Sequence, residues 1–151
     1  MNDTTKSWLF VVVQAFLLVL LIFLTDSRAN PSSTLQVIGN VIKFVGVVLL
    51  LISFYDLRKS LTALPLPKKN GVIQVRGLYK FVRHPMYVGV LVLSLGITVS
   101  SGSILKYGIL AALYGLFSVK ARYEERLLLA KYPGYKAYIA KTPRFVPRLR
   151  S

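Results

Sequence analysis

Trp8 to Leu24 runs for seventeen residues with a single polar interruption, Gln14. At about 1.5 Å of rise per residue such a helix is ~26 Å long, close to the hydrocarbon thickness of a bilayer. Three more apolar runs follow, at Leu35 to Tyr55, Met86 to Val99 and Ile104 to Val119, the second of which is short and is expected to continue through Ser100 and Ser101. A 151-residue chain that is 54% apolar is too hydrophobic for a soluble globule and too short for more than one domain. The expected architecture is therefore an all-α integral membrane protein of about four transmembrane helices. The first run has one Lys before it, as a signal peptide would. It is long, however, and Thr25-Asp26-Ser27-Arg28 makes a poor small-residue cleavage site, so we expect it to be retained as the first helix.

Ser100-Ser101-Gly102-Ser103 is a turn-like break, which predicts a tight C-terminal hairpin of the last two helices. Gly89 with Gly96, and Gly108 with Gly115, are each seven apart and so share one helix face. Either these faces let the two helices approach closely, or the glycines are simply tolerated as membrane helices tolerate them. Lys43 falls inside the second run, where charge is costly, and is expected to snorkel to the outer interface.

The formal charge of +15 invites a nucleic-acid reading, but the distribution of the basic residues explains it by topology. Seven lie between the second and third runs, from Arg58 to Arg83, and nine follow the fourth, from Lys120 to Arg150. Only Arg28 and Lys106 occupy the two opposite loops. Cationic loops stay cytosolic, so both termini are expected on that side, where the same clusters attract anionic headgroups at ~1 kcal/mol per basic residue. No nucleic-acid partner is required. The absence of cysteine excludes disulfides, thiol catalysis and thiolate metal sites, and a single histidine argues against a histidine-based metal site.

The polar residues that remain fall into two groups. In Gly77-Leu78-Tyr79-Lys80-Phe81-Val82-Arg83-His84-Pro85-Met86-Tyr87, the proline suits the first turn of a helix, whose unpaired amides favour an anionic group. One helical turn puts His84 and Tyr87 on the same side. An interfacial belt, with Tyr79, Phe81 and Tyr87 anchored at headgroup depth, would give the same residue types. The second group, Lys120, Arg122, Glu124, Glu125 and Arg126, continues the fourth helix past the membrane surface. Lys120 and Glu124 face the same way, as a ligand site or as an i,i+4 pair on a solvated face. Upstream, Pro65 and Pro67 hold the chain extended, Asn70-Gly71 turns it, and Val72 to Val75 forms a short extended strip.

These residues resemble the isoprenylcysteine carboxyl methyltransferases and their bacterial relatives, which are in turn similar to the phospholipid N-methyltransferases. The resemblance covers Asp56 to Leu149 through Gly77-x-Tyr79, Arg83-His84-Pro85-x-Tyr87, Glu124-Glu125-x-x-Leu128, Tyr135-x-x-Tyr138 and Arg144-Phe145-x-Pro147. It implies one membrane methyltransferase domain over residues 1–151, with N-terminal transmembrane helices in 1–55 and a cofactor-binding catalytic region in 56–151. It also implies S-adenosylmethionine as methyl donor, a cytosolic cofactor site, and a bacterial inner-membrane location. Carried over by motif, Gly71, Val72, Ile73, Gln74, Tyr79, His84, Pro85, Met86, Tyr87, Glu124 and Glu125 contact the cofactor, while Arg83 and Lys120 serve catalysis. Lys120 stands where the isoprenylcysteine enzymes carry a substrate-facing arginine, and a lysine offers a point charge in place of a bidentate fork. The implied partners are membrane lipids and a lipophilic or prenylated acceptor, possessing a carboxylate or an amine. A nicotinamide-dependent membrane reductase and a non-enzymatic lipid-binding protein are the competing classes.

Overall fold

The computed structural model describes residues 3–27, 29–58 and 75–147. Among them every regular element is helical: α1 (Asp3–Phe23), α2 (Ser33–Leu57), a 3-10 turn (Gly77–Lys80), α3 (Pro85–Ser101), α4 (Ile104–Lys131) and α5 (Tyr135–Lys141). Helices α1, α2 and α4 are each long and apolar enough to cross a membrane, and α3 is a shorter apolar helix of the same kind. All four expected spans are present. Helix α1 starts five residues before Trp8, and α4 continues twelve residues beyond Val119.

Local chemistry sets the ends. The Ser32 side chain accepts from the Leu35 amide at the start of α2. Pro85 opens α3, and Gly102, at φ 64°, closes it in the left-handed conformation that only glycine adopts freely. Hydroxyls within the helices are satisfied by their own backbone, Ser53 by Leu49 and Thr98 by Ser94, as a solvent without hydrogen bonds demands. On the side opposite the basic loops, Asp26 accepts from Ser103 at 2.7 Å and ties the two turns together.

The molecule is dry outside as well as inside. Phe44 is 70% exposed and Ile104 80%, whereas Leu21, Leu113 and Phe117 are completely buried between α1 and α4. Apolar side chains gain little by exchanging lipid for another helix, so close backbone packing must hold such a bundle together. The longest contact is α2 against α3. It is antiparallel and seamed by four glycines. A methyl group on Gly39 would meet Ser100, on Gly46 the Leu93 backbone, on Gly89 the Leu50 side chain, and on Gly96 the Lys43 backbone and stem.

This corrects the expected pairing. Gly89 and Gly96 do mark a close approach, but towards Gly39 and Gly46 of α2; a methyl group on Gly108 or Gly115 of α4 would meet nothing within 4 Å among the described residues of neighbouring elements. Helices α3 and α4 are joined by the short Gly102 turn yet touch far less than α2 and α3 do. Lys43 is half-buried, its stem lying across Gly96. Helix α1 covers α4 in antiparallel fashion, with Phe10 against the Tyr123 ring and the Tyr123 hydroxyl donating to the Asp3 carbonyl.

Candidate active site

The 3-10 turn fixes the entrance to α3. Gly77 has φ 60°, and a side chain there would collide with the Asp56 carboxylate, which accepts from the Leu78 amide at 2.9 Å. The end of α2 therefore dictates where Tyr79 and Arg83 begin. A second strap comes from the far end of the chain: the Arg83 amide donates to the Pro143 carbonyl at 2.9 Å, and the His84 amide to that of Arg144 at 3.3 Å. The Tyr138 hydroxyl of α5 donates to the Tyr79 carbonyl. Burial pushes that hydroxyl up to about 12, so it remains a donor throughout the physiological range.

Inside this frame, Glu125 is the hub. It accepts two bonds from the Arg144 guanidinium, at 3.0 and 2.7 Å, and one from His84 Nε2 at 3.1 Å. Arg83 Nη1 approaches to 3.3 Å as an ion pair without hydrogen-bond geometry, which leaves Arg83 Nε and Nη1 buried and, among the described residues, lacking hydrogen-bond partners. Glu124 faces the other ring nitrogen of His84, Nδ1, at 3.5 Å, and accepts from the Tyr87 hydroxyl. The His84 and Tyr87 rings stack, as do those of Tyr87 and Phe117, with interplanar angles of 3° in both cases.

Both imidazole nitrogens of His84 thus point at carboxylates, an arrangement that suits the doubly protonated ring. Burial alone lowers its pKa, but hydrogen bonds and charge from Glu124 and Glu125 outweigh burial, and the net shift is upward from 6.5. A histidine whose pKa is raised on folding stabilises the fold fully below its unfolded value and loses that contribution as pH rises through the folded one. The thermal midpoint of detergent-purified protein is accordingly expected to fall as pH rises above 6.5, and to fall less steeply in His84→Gln. Equal slopes for the two proteins would show that His84 is not the protonated partner of the two glutamates.

The two polar groups separated in sequence are brought together: Arg83, His84 and Tyr87 meet Glu124 and Glu125. Pro85 is buried at the first position of α3, Met86 is half-buried beside it, and Tyr79 is buried on the 3-10 turn. Gly71, Val72, Ile73 and Gln74 lie outside the described residues. The α3 mouth is not an open anion site, because the neighbouring amides of Arg83 and His84 are taken by the C-terminal strap and the nearby negative charge is the protein's own. Lys120 lies at the edge of this cluster, beside Tyr87. Among the described residues it forms no ion pair with Glu124; its ammonium donates to Gln14 Oε1 of α1 at 2.8 Å and lies 5.2 Å from the centre of the Tyr87 ring. Sequence reasoning passed over Gln14, whose one signal is a lone amide in an apolar run. It gave Arg144 no role beyond a place in a motif.

Apolar helices around an enclosed polar cluster define an integral membrane protein. Residues 35–134 match the family described as phospholipid methyltransferase, and the chain belongs to that family of methyltransferases. It is 34% identical over 83 residues to the cobalt-zinc-cadmium resistance protein CzcN of Cupriavidus metallidurans, which covers 54% of this chain and 38% of that protein. It is equally similar, 34% over 83 residues, to the nickel-cobalt-cadmium resistance protein NccN of Alcaligenes xylosoxydans xylosoxydans, which covers 54% of this chain and 39% of that protein. The match spans about two-fifths of the length of either relative.

Proposed function

We propose that the chain transfers a methyl group from S-adenosylmethionine to a lipophilic acceptor that reaches the site from the bilayer, in a bacterial inner membrane with both termini cytosolic. The observation that carries the reading is the buried Arg83 guanidinium, whose side chain is 10% exposed and whose Nε and Nη1 lack hydrogen-bond partners among the described residues, set beside a stacked aromatic pair and a carboxylate. These groups fit the cofactor's own chemistry. An unsatisfied guanidinium accommodates a carboxylate, the face of an aromatic ring tolerates a sulfonium, and Glu124 can accept from hydroxyl or amino groups. When bound, S-adenosylmethionine supplies a methyl group on a positively charged sulfur, so the leaving group needs no activation by the protein.

What the chain contributes is position and dryness. The Glu125 hub fixes Arg83 and His84, His84 and Phe117 stack on Tyr87, and lipid-facing helices keep water away. A carboxylate acceptor needs no base, whereas an amine must first lose its proton. The names of the two relatives refer to metal resistance. The carboxylates and the imidazole of this site, however, direct their donor atoms at one another and at arginines, and among the described residues no group of three His, Cys, Asp or Glu could hold a metal ion.

Membranes containing the protein are expected to move label from methyl-labelled S-adenosylmethionine into an organic-extractable product, and membranes containing the Glu124→Gln variant to lose most of that activity. Preferential binding of a nicotinamide dinucleotide, with no label transferred, would replace this reading by the reductase one. Binding of neither cofactor would leave a lipid-binding membrane protein.

A further inference from the structure

Lys43 is a cation at membrane depth, on the helix farthest from the Glu125 cluster. It stands ten residues after Ser33, about 15 Å from the end of α2 that lies opposite the basic loops. Its stem has a definite course. A methyl group on Gly96 would lie 2.7 Å from Lys43 Cγ and 2.8 Å from the Gly39 carbonyl oxygen, so the stem follows the α2–α3 seam. Long side chains lean towards the start of their helix, here towards Gly39 and Asn40. Gly39 packs on Ser100, at the last turn of α3, so the ammonium heads for the level at which α3 gives way to its polar turn.

A charge held in hydrocarbon is costly without a counter-ion. Among the described residues neither the Lys43 ammonium nor the exposed Asn40 amide has a hydrogen-bond or ion-pair partner. Gln36, one turn further towards the same end, is also exposed and spends one N–H on the Pro31 carbonyl at 3.2 Å, which leaves the second. Spacings of four and three place Gln36, Asn40 and Lys43 on one flank of the helix. Below them the same side becomes wholly apolar, with Phe44, Val47 and Leu51 exposed. Helix α2 packs against α3 and the 3-10 turn, so this flank is turned towards lipid.

We propose that the flank is a binding site for an anionic phospholipid of the leaflet opposite the basic loops, its phosphate held by Lys43, Asn40 and Gln36 and an acyl chain lying over Phe44, Val47 and Leu51. Donors at the headgroup end and apolar surface towards the midplane are the two halves of one lipid. A phosphate accepts from all three side chains, whereas the ammonium of a zwitterionic headgroup is repelled by Lys43. A second copy of the chain would bring a second lysine and no acid to this flank. The site lies apart from the Glu125 cluster, and the inference does not depend on methyl transfer.

The test reads lipid identity at the flank itself. Full-length protein carrying Phe44→Trp, with the sole native tryptophan removed as Trp8→Phe, is reconstituted in vesicles of phosphatidylcholine and phosphatidylglycerol. Fluorescence quenching by the dibrominated form of each lipid gives their relative occupancy at residue 44. Phosphatidylglycerol is expected to be preferred about fivefold, the equivalent of the ~1 kcal/mol that one cation near a membrane surface supplies. Lys43→Met should abolish the preference, Lys43→Arg should keep it, and Asn40→Leu should cut it. A Phe16→Trp reporter on the exposed side of α1 should show no preference, which separates the site from the general attraction of the basic loops. Equal quenching by both lipids with Lys43 in place overturns the proposal, as does a preference that survives Lys43→Met or is matched at residue 16. A residue-44 reporter shielded from both lipids overturns it too, because another helix then covers the flank.

Discussion

Glu125→Gln is expected to cost about 3–5 kcal/mol of stability, the usual penalty for leaving buried charges without their counter-ion. Glu125 is 7% exposed on its side chain and meets Arg144, His84 and Arg83 at once. Glutamine preserves the shape but turns an NH2 group towards a guanidinium and removes the one charge that the three cations share. A lowered thermal midpoint of detergent-purified protein is the readout. The double variant Glu125→Gln with Arg144→Gln should recover part of the loss, because one uncompensated cation has gone with the carboxylate. Glu124→Gln should be much milder for stability, since the amide oxygen can still accept from the Tyr87 hydroxyl. A wild-type midpoint for Glu125→Gln would mean that the cluster is solvated and not the keystone described above.

Gly46→Ala is expected to be nearly as damaging, although it adds a single methyl group. That methyl would sit 2.5 Å from the Leu93 amide nitrogen and 2.7 Å from its Cα, both backbone atoms that cannot rotate aside. Overpacking of this kind costs about 1–3 kcal/mol. Relief requires α2 and α3 to separate along the whole seam, and α3 carries His84 and Tyr87 at its start, so ligand binding should weaken together with stability. Gly115→Ala is the matched control. A methyl group there would meet nothing within 4 Å among the described residues of neighbouring elements, so the change should be neutral or gain up to about 1 kcal/mol in helix propensity. Equal midpoints for the two variants would show that α2 and α3 do not depend on close approach.

The spans were legible because a bilayer asks for length and apolarity, and the four runs supply both without interruption longer than a residue. Partners were harder to read. The spacing of Gly89 and Gly96 identifies a face but not what faces it, and Gly39 with Gly46 carries the same seven-residue spacing on α2. Much of the ion cluster was legible in outline, since Arg83, His84 and the two glutamates are rare charges beside apolar helices. Its geometry was not, because the deciding residue, Arg144, is one cation among many in a basic tail until the strap to Arg83 and His84 places it. The partner of Lys120 was hidden for a related reason. Its neighbour four residues on is a glutamate, but the antiparallel lie of α1 on α4 brings Gln14 closer, and that register is written in no local pattern.

The strap over the α3 entrance also sets an order of events during synthesis. Tyr138 follows Tyr79 by 59 residues in the chain, and the Pro143–Arg144 carbonyls that receive the Arg83 and His84 amides come later still. Chains leave the ribosome at about 5–20 residues per second, so the α2–α3 pair can seat itself in the bilayer seconds before its polar edge has all its parts. Until then Arg83 and His84 wait for Glu125 and for the tail that fixes them. Membrane insertion and assembly of the polar cluster are thus separable in time, and a nascent chain that is already embedded still lacks the strap that closes the α3 entrance.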